Sequence, residues 1–94
     1  MSKILIADDN KQITMILSSY AKKEGYETLI AYDGQQALDL YALNKKDIVM
    51  VLLDVMMPKI SGFDMLDILR STPETKNTKV IMMTALSSDD QRSR

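Results

Sequence analysis

Apolar residues along this chain follow two alternating patterns, and the alternation predicts its elements. Ile4 to Ala7 is a short unbroken apolar run, as expected of a strand covered on both faces. Asp9-Asn10 then supplies helix-start chemistry. Ile13, Ile16, Leu17, Tyr20 and Ala21 recur at helical spacing and predict one inward stripe. Gly25, after Lys22-Lys23-Glu24, is placed to stop that helix, with cations in its last turn. Thr28 to Ala31 reads as a second strand. Asp33-Gly34-Gln35-Gln36 opens a helix that turns Ala37, Leu38 and Tyr41 inward, and Asn44 to Asp47 breaks it. The longest apolar run, Ile48 to Leu53, is a third strand. Ser61-Gly62-Phe63-Asp64 caps a helix carrying Phe63, Leu66, Ile68 and Leu69, which ends before Pro73. Lys79 to Met83 is a fourth strand, followed by Thr84-Ala85, and Ser88 to Gln91 resembles another helix start.

Strand and helix thus alternate three times before a last strand. Right-handed crossovers convert that order into a parallel sheet with helices on both faces, a doubly wound α/β domain. There is no internal repeat or linker, and 94 residues suffice for one domain and not two.

Composition narrows the chemistry. With no His, the chain has no Ser-His-Asp triad, no imidazole metal site and no internal phosphohistidine; with no Cys, it has no disulfide or thiolate zinc site. A net charge of -1 provides no general attraction to nucleic acid or to an anionic membrane. No apolar stretch approaches the roughly 20 residues of a membrane helix, and Met1-Ser2-Lys3 has no signal-peptide layout. A cytoplasmic protein is the expectation.

The candidate chemistry lies at strand ends. Asp54 ends the run Ile48 to Leu53, and Asp8-Asp9 end the run Lys3 to Ala7. In open α/β sheets, ligands bind beyond the carboxyl ends of the strands. If the first and third strands are neighbours, the three carboxylates share that crevice. Two like charges about 4 Å apart repel by ~4 kcal/mol at an effective dielectric near 20, so three call for a counter-ion. Mg²⁺ suits one or two carboxylates together with water and phosphate oxygens. Asp54 could then attack phosphorus, while Thr84 offers a hydroxyl and the small Ala85 leaves access. Each residue alone has an ordinary reading: Asp9-Asn10 as a helix cap, Asp54 as a solvated strand end, the eight Met residues as core filler. The combination is what these ordinary causes do not produce.

That combination resembles the receiver domain of bacterial two-component response regulators. The residues carrying it are Ile4 to Asn10, Leu52 to Pro58, Ser61 to Asp64 and Val80 to Ala85, with Asp33-Gly34 and Ala37-Leu38 fitting the second helix entry. The resemblance runs from Lys3 to about Ser88. It implies the flavodoxin-like strand order 2-1-3-4. It also implies that Asp54 is the phosphoacceptor, taking its phosphoryl group from a sensor histidine kinase or phosphotransfer protein. Asp9, Asp54 and the backbone carbonyl of Met56 would hold Mg²⁺, with Asp8 reaching it through water. Thr84 would be the switch hydroxyl, acting with the loop from Ala85, and Pro58 and Gly62 would shape the loop after Asp54.

The family continues with a fourth helix, a fifth strand ending in a Lys, and a fifth helix, whereas this chain stops at Arg94. It is therefore expected to be a receiver domain that is incomplete at its C-terminus, with Lys79 to Met83 as an edge strand open to edge pairing or strand exchange in a homodimer. Two other readings compete. An aspartyl phosphohydrolase would place a second Asp two residues after the nucleophile, where this chain has Met56. A receiver-like module without phosphorylation would keep the fold alone, but the acidic positions and Thr84 are all present.

Overall fold

A computed structural model describes residues 2–83. The elements run β1 (Lys3–Ala7), α1 (Lys11–Lys23), β2 (Glu27–Ala31), α2 (Gly34–Asn44), β3 (Ile48–Asp54), α3 (Gly62–Ser71) and β4 (Lys79–Met83). The four strands form one parallel sheet in the order β2-β1-β3-β4, as the resemblance implied. Ala7 pairs with Ala31 on one side and Leu53 on the other, which aligns the carboxyl ends of β1, β2 and β3. Between Lys3 and Ile4 the register against β3 slips by one residue, so Val49 has no partner across the strands and lies exposed.

Local sequence explains the helix ends. Asn10 caps α1, its side-chain oxygen accepting from the amides of Gln12 and Ile13 at 2.9 and 3.2 Å. At the other end Gly25 adopts φ +93°. The Gly25 amide donates to the Lys22 carbonyl and the Tyr26 amide to the Ala21 carbonyl, the paired bonds of a Schellman stop. Asp33 accepts from the Gln36 amide at 2.8 Å, while the Gln36 side chain accepts from the Tyr32 amide at 2.9 Å. Ser61 accepts from the Asp64 amide at the start of α3.

The two sheet faces are covered differently. Leu5, Ala7, Val51 and Leu53 pack under α2 and α3 with Ala37, Tyr41, Met65 and Leu69, all buried. On the opposite face Ile4 and Ile6 meet Ala21 of α1, with Leu17, Met50 and Leu52 half-buried beside them. The inward side of α1 is rotated from the face expected from its apolar spacing. Thr14, Ser18 and Ala21 are buried, whereas Ile16 is 55% and Tyr20 66% exposed, and Ile13 is exposed as well. Hydrogen bonding permits the exchange. The Thr14 hydroxyl donates to the Lys11 carbonyl at 2.9 Å, and Ser18 shares a 2.9 Å bond with Thr28 of β2, so both hydroxyls are buried with partners. In α3 the buried positions are Gly62, Met65 and Leu69, with Leu66 and Ile68 half-buried, and Phe63 faces outward.

The connection from α3 to β4 is held by two polar clamps. Thr75, fully buried, donates to the Leu69 carbonyl at 2.8 Å and so accepts from the Tyr41 hydroxyl at 2.9 Å. Arg70 donates to the carbonyls of Lys76 and Thr78 at 3.0 and 2.7 Å. These bonds fix the entry into β4, an edge strand among the described residues.

Candidate carboxylate site

Strand order brings the acidic residues together. Because β1 and β3 are neighbours in register, the residues just past Ala7 and Leu53 emerge side by side from the sheet. Asp8, Asp9 and Asp54 each offer a carboxylate oxygen, all within 4.8 Å of one another. Asp8 and Asp54 are buried, and Asp9 is exposed. The backbone orients the buried pair. The Asn10 amide donates to Asp8 Oδ1 at 2.8 Å, and the Met56 amide donates to Asp54 Oδ1 at 3.1 Å. Val55 is tied to the far strand by its amide, which donates to the Met83 carbonyl at 3.0 Å.

Electrostatics mark the cluster as short of positive charge. Burial pushes the Asp8 carboxyl above its usual range. The Asn10 amide pulls it back, and the charges of Asp54 and Asp9, with a carboxyl hydrogen bond to Asp54, push it up further. Among the described residues no ion pair reaches these carboxylates. An all-oxygen donor set, mutually repelling and supplied by two buried residues and one exposed one, fits a hard divalent cation.

The loop after Asp54 is shaped by close backbone contacts. A Cβ on Gly62 would run into the Asp54 carbonyl, and the Gly62 amide donates to the Val55 carbonyl at 3.1 Å, so α3 starts directly against the end of β3. The Pro58 carbonyl accepts from both Ile60 and Gly34, at 2.9 and 3.1 Å. Met56 presents an exposed side chain beside the site. Thr84 and Ala85, the expected switch positions, lie outside the described residues. The sequence put the three carboxylates at strand ends, and they meet because β1 and β3 are neighbours, the order the family resemblance implied. The sequence did not show the contact of Gly34 with this loop, because a glycine after a capping Asp reads first as part of the cap.

Comparison with known proteins points to one family and fold. Residues 4–94 match the family model of the response regulator receiver domain. The transcriptional regulatory protein CpxR of Escherichia coli K12 is 45% identical over 92 residues, covering 98% of this chain and 37% of its own length. This chain thus spans a little over a third of the curated relatives it matches. Among solved structures, the Francisella response regulator 1452 receiver domain is 36% identical with a TM-score of 0.77, over 95% of this chain and 70% of that one. The chemotaxis response regulator CheY4 of Vibrio cholerae is 31% identical with a TM-score of 0.82, over 94% and 72% of the two chains. On the strength of the matched family, the shared strand order and the clustered acidic strand ends, this chain belongs to the response regulator receiver family of two-component signalling.

Proposed function

We propose that Asp54 is the phosphoacceptor of this receiver and that Asp8, Asp9 and Asp54, with the backbone carbonyl of Met56, form its Mg²⁺ site. The observation carrying this reading is the convergence of three carboxylate oxygens within 4.8 Å at the carboxyl ends of neighbouring parallel strands. Mg²⁺ bound there would neutralise the carboxylates and the phosphoryl oxygens. The chain's own groups supply position. The Met56 amide orients Asp54 through Oδ1, which leaves Oδ2 for attack at phosphorus. The donor proposed from the family's chemistry is a phosphohistidine on a sensor histidine kinase or phosphotransfer protein, these 94 residues having no His of their own. As the Asp54 oxygen bonds to phosphorus, the phosphorus–nitrogen bond breaks; its electron pair stays on the imidazole nitrogen, and the product is an acyl phosphate. Thr84 and the loop from Ala85 are proposed as the element whose population the phosphoryl group shifts.

A hydrolase reading finds no support in the loop. Residues 55 to 60 contain no carboxyl group to act as a general acid. No helix among the described residues is long and apolar enough to cross a membrane. The site is tested with acetyl phosphate and Mg²⁺ on the full chain. Mass mapping is expected to find one hydroxylamine-labile phosphoryl group on Asp54, absent without Mg²⁺ and absent from Asp54→Asn. A full chain that takes up no phosphoryl group, or takes it up elsewhere, would refute the assignment.

A further inference from the structure

The start of α2 belongs to no strand end, yet it grips the loop that follows Asp54 in three independent ways. The Gly34 amide, one of the helix N-terminal donors that has no partner within its own helix, donates to the Pro58 carbonyl at 3.1 Å. The Gly34 Cα lies so close to Ile60 that a Cβ there would overlap both the Ile60 carbonyl and its Cβ. Asp33 uses one oxygen to cap α2 through the Gln36 amide, and its other oxygen lies 3.5 Å from Lys59 Nζ. Lys59, held between these contacts, takes φ +72°, a left-handed conformation that a residue with a Cβ keeps only where its surroundings impose it.

The same loop begins at Met56, whose amide holds Asp54 Oδ1. Its far end is anchored by Gly62 against the Asp54 carbonyl. The loop is therefore fixed at two glycines, one on the helix that follows it and one on a helix that precedes β3. No atom of Gly34 or Asp33 belongs to the carboxylate cluster, so any influence they have on it passes through the backbone from Pro58 to Met56.

We propose that Gly34 and Asp33 are positioning residues for the phosphoacceptor site, with α2 serving as the rest against which the Met56 backbone is set. This inference builds on the Mg²⁺ site assigned above. Gly34 is required for its missing Cβ as much as for its amide. Alanine there would keep the amide and still force the loop away, moving the Met56 carbonyl and amide relative to Asp54. Groups that orient ligands without touching the metal typically change metal affinity by roughly 10–100-fold when altered.

The test compares Mg²⁺ affinity of the full chain, followed by titration calorimetry, in wild type, Gly34→Ala and Thr75→Val. Thr75→Val disturbs a buried hydrogen bond far from the site and controls for general loosening. Gly34→Ala is expected to bind Mg²⁺ about tenfold more weakly, with Thr75→Val close to wild type. A folded Gly34→Ala that binds Mg²⁺ as wild type does, or a Thr75→Val equally weakened, overturns the proposal. Amide hydrogen exchange on the unsubstituted chain gives an answer even if Gly34→Ala does not fold. Mg²⁺ is expected to slow exchange at the Gly34 amide, and an unchanged rate there counts against the coupling. A wild-type chain that binds no Mg²⁺ defeats the assigned metal site along with this inference, whereas wild-type binding indifferent to Gly34 defeats the inference alone.

Discussion

The face of the sheet under α2 and α3 and the face under α1 are made from the same four strands, but they close to different degrees. Under α2 and α3, side chains from β1 and β3 meet two helices, and Leu5, Val51, Leu53, Met65 and Leu69 lose all contact with solvent. On the other face, among the described residues, one helix covers β1 and β2, while Met50 and Leu52 of β3 stay half-buried and Ile81 of β4 is exposed. The helix on that side also turns apolar residues outward, including Ile13, Met15, Ile16 and Tyr20. Apolar strands in a parallel sheet need cover on both sides, so their pattern alone does not say how much cover a given stretch of chain provides. Stability should therefore be concentrated on the α2/α3 face.

Truncation on either face is the strongest test of that difference. In the 94-residue chain, Leu69→Ala is expected to cost about 2–5 kcal/mol, the usual range for emptying a packed Leu site. Ile16→Ala on α1 is expected to change stability by less than about 0.5 kcal/mol, as for surface substitutions generally. Urea unfolding midpoints measure both. A loss at Ile16 comparable to that at Leu69 would show that the α1 face is covered in solution.

A smaller effect tests whether the closed face depends on its polar clamp as well as on apolar packing. Thr75→Val would leave the buried Tyr41 hydroxyl without its partner and remove the donor to the Leu69 carbonyl, at a cost of about 1–3 kcal/mol. Tyr41→Phe leaves the Thr75 bond to Leu69 intact and should cost less, about 0.5–1.5 kcal/mol. Thermal unfolding of the two variants side by side decides the order. If Tyr41→Phe proves the more damaging, the clamp is wrongly described.

The smallest effect concerns pH, where two carboxylates are set against each other. Burial first, and then the neighbouring acidic charges, raise the Asp8 carboxyl, so folding favours its protonated form. Its contribution to stability is fully present below the unfolded value and is lost as pH rises through the raised folded one. Asp33 is lowered, chiefly by the Gln36 amide, so its contribution is present above the unfolded value and lost as pH falls. Without divalent cations, Asp8→Asn should gain on wild type as pH rises from about 3.5 to about 7, and Asp33→Asn should lose ground over the same range. Parallel profiles for the two variants would contradict the assigned environments.

Strands and helix starts were legible in the sequence because each rests on local chemistry: unbroken apolar runs for β1 and β3, Asn10, Asp33 and Ser61 as caps, Gly25 as a stop. The carboxylate cluster followed from strand ends and the order of a doubly wound sheet. The inward face of α1 was not legible. Ile13, Ile16 and Tyr20 have the better apolar spacing, but Thr14 and Ser18 can be buried because their hydroxyls find partners, which spacing does not record. The grip of Gly34 on Ile60 and the Arg70 and Thr75 clamps were missed for a similar reason. Each depends on a contact between segments distant in the chain or on a loop path, not on a periodic signal.

The inner position of β1 also bears on how such a chain comes off the ribosome. Of the four strands β1 is made first and stands between β2 and β3, so one of its edges can pair once β2 is translated while the other waits for β3. Nonlocal parallel pairing of this kind carries loop-closure entropy before it gains contacts, which makes it slow to form. A nascent chain that has not yet reached Asp54 already displays Asp8 and Asp9 without their third neighbour, so the carboxylate cluster, and with it the proposed phosphoacceptor site, cannot assemble before β1 and β3 are joined.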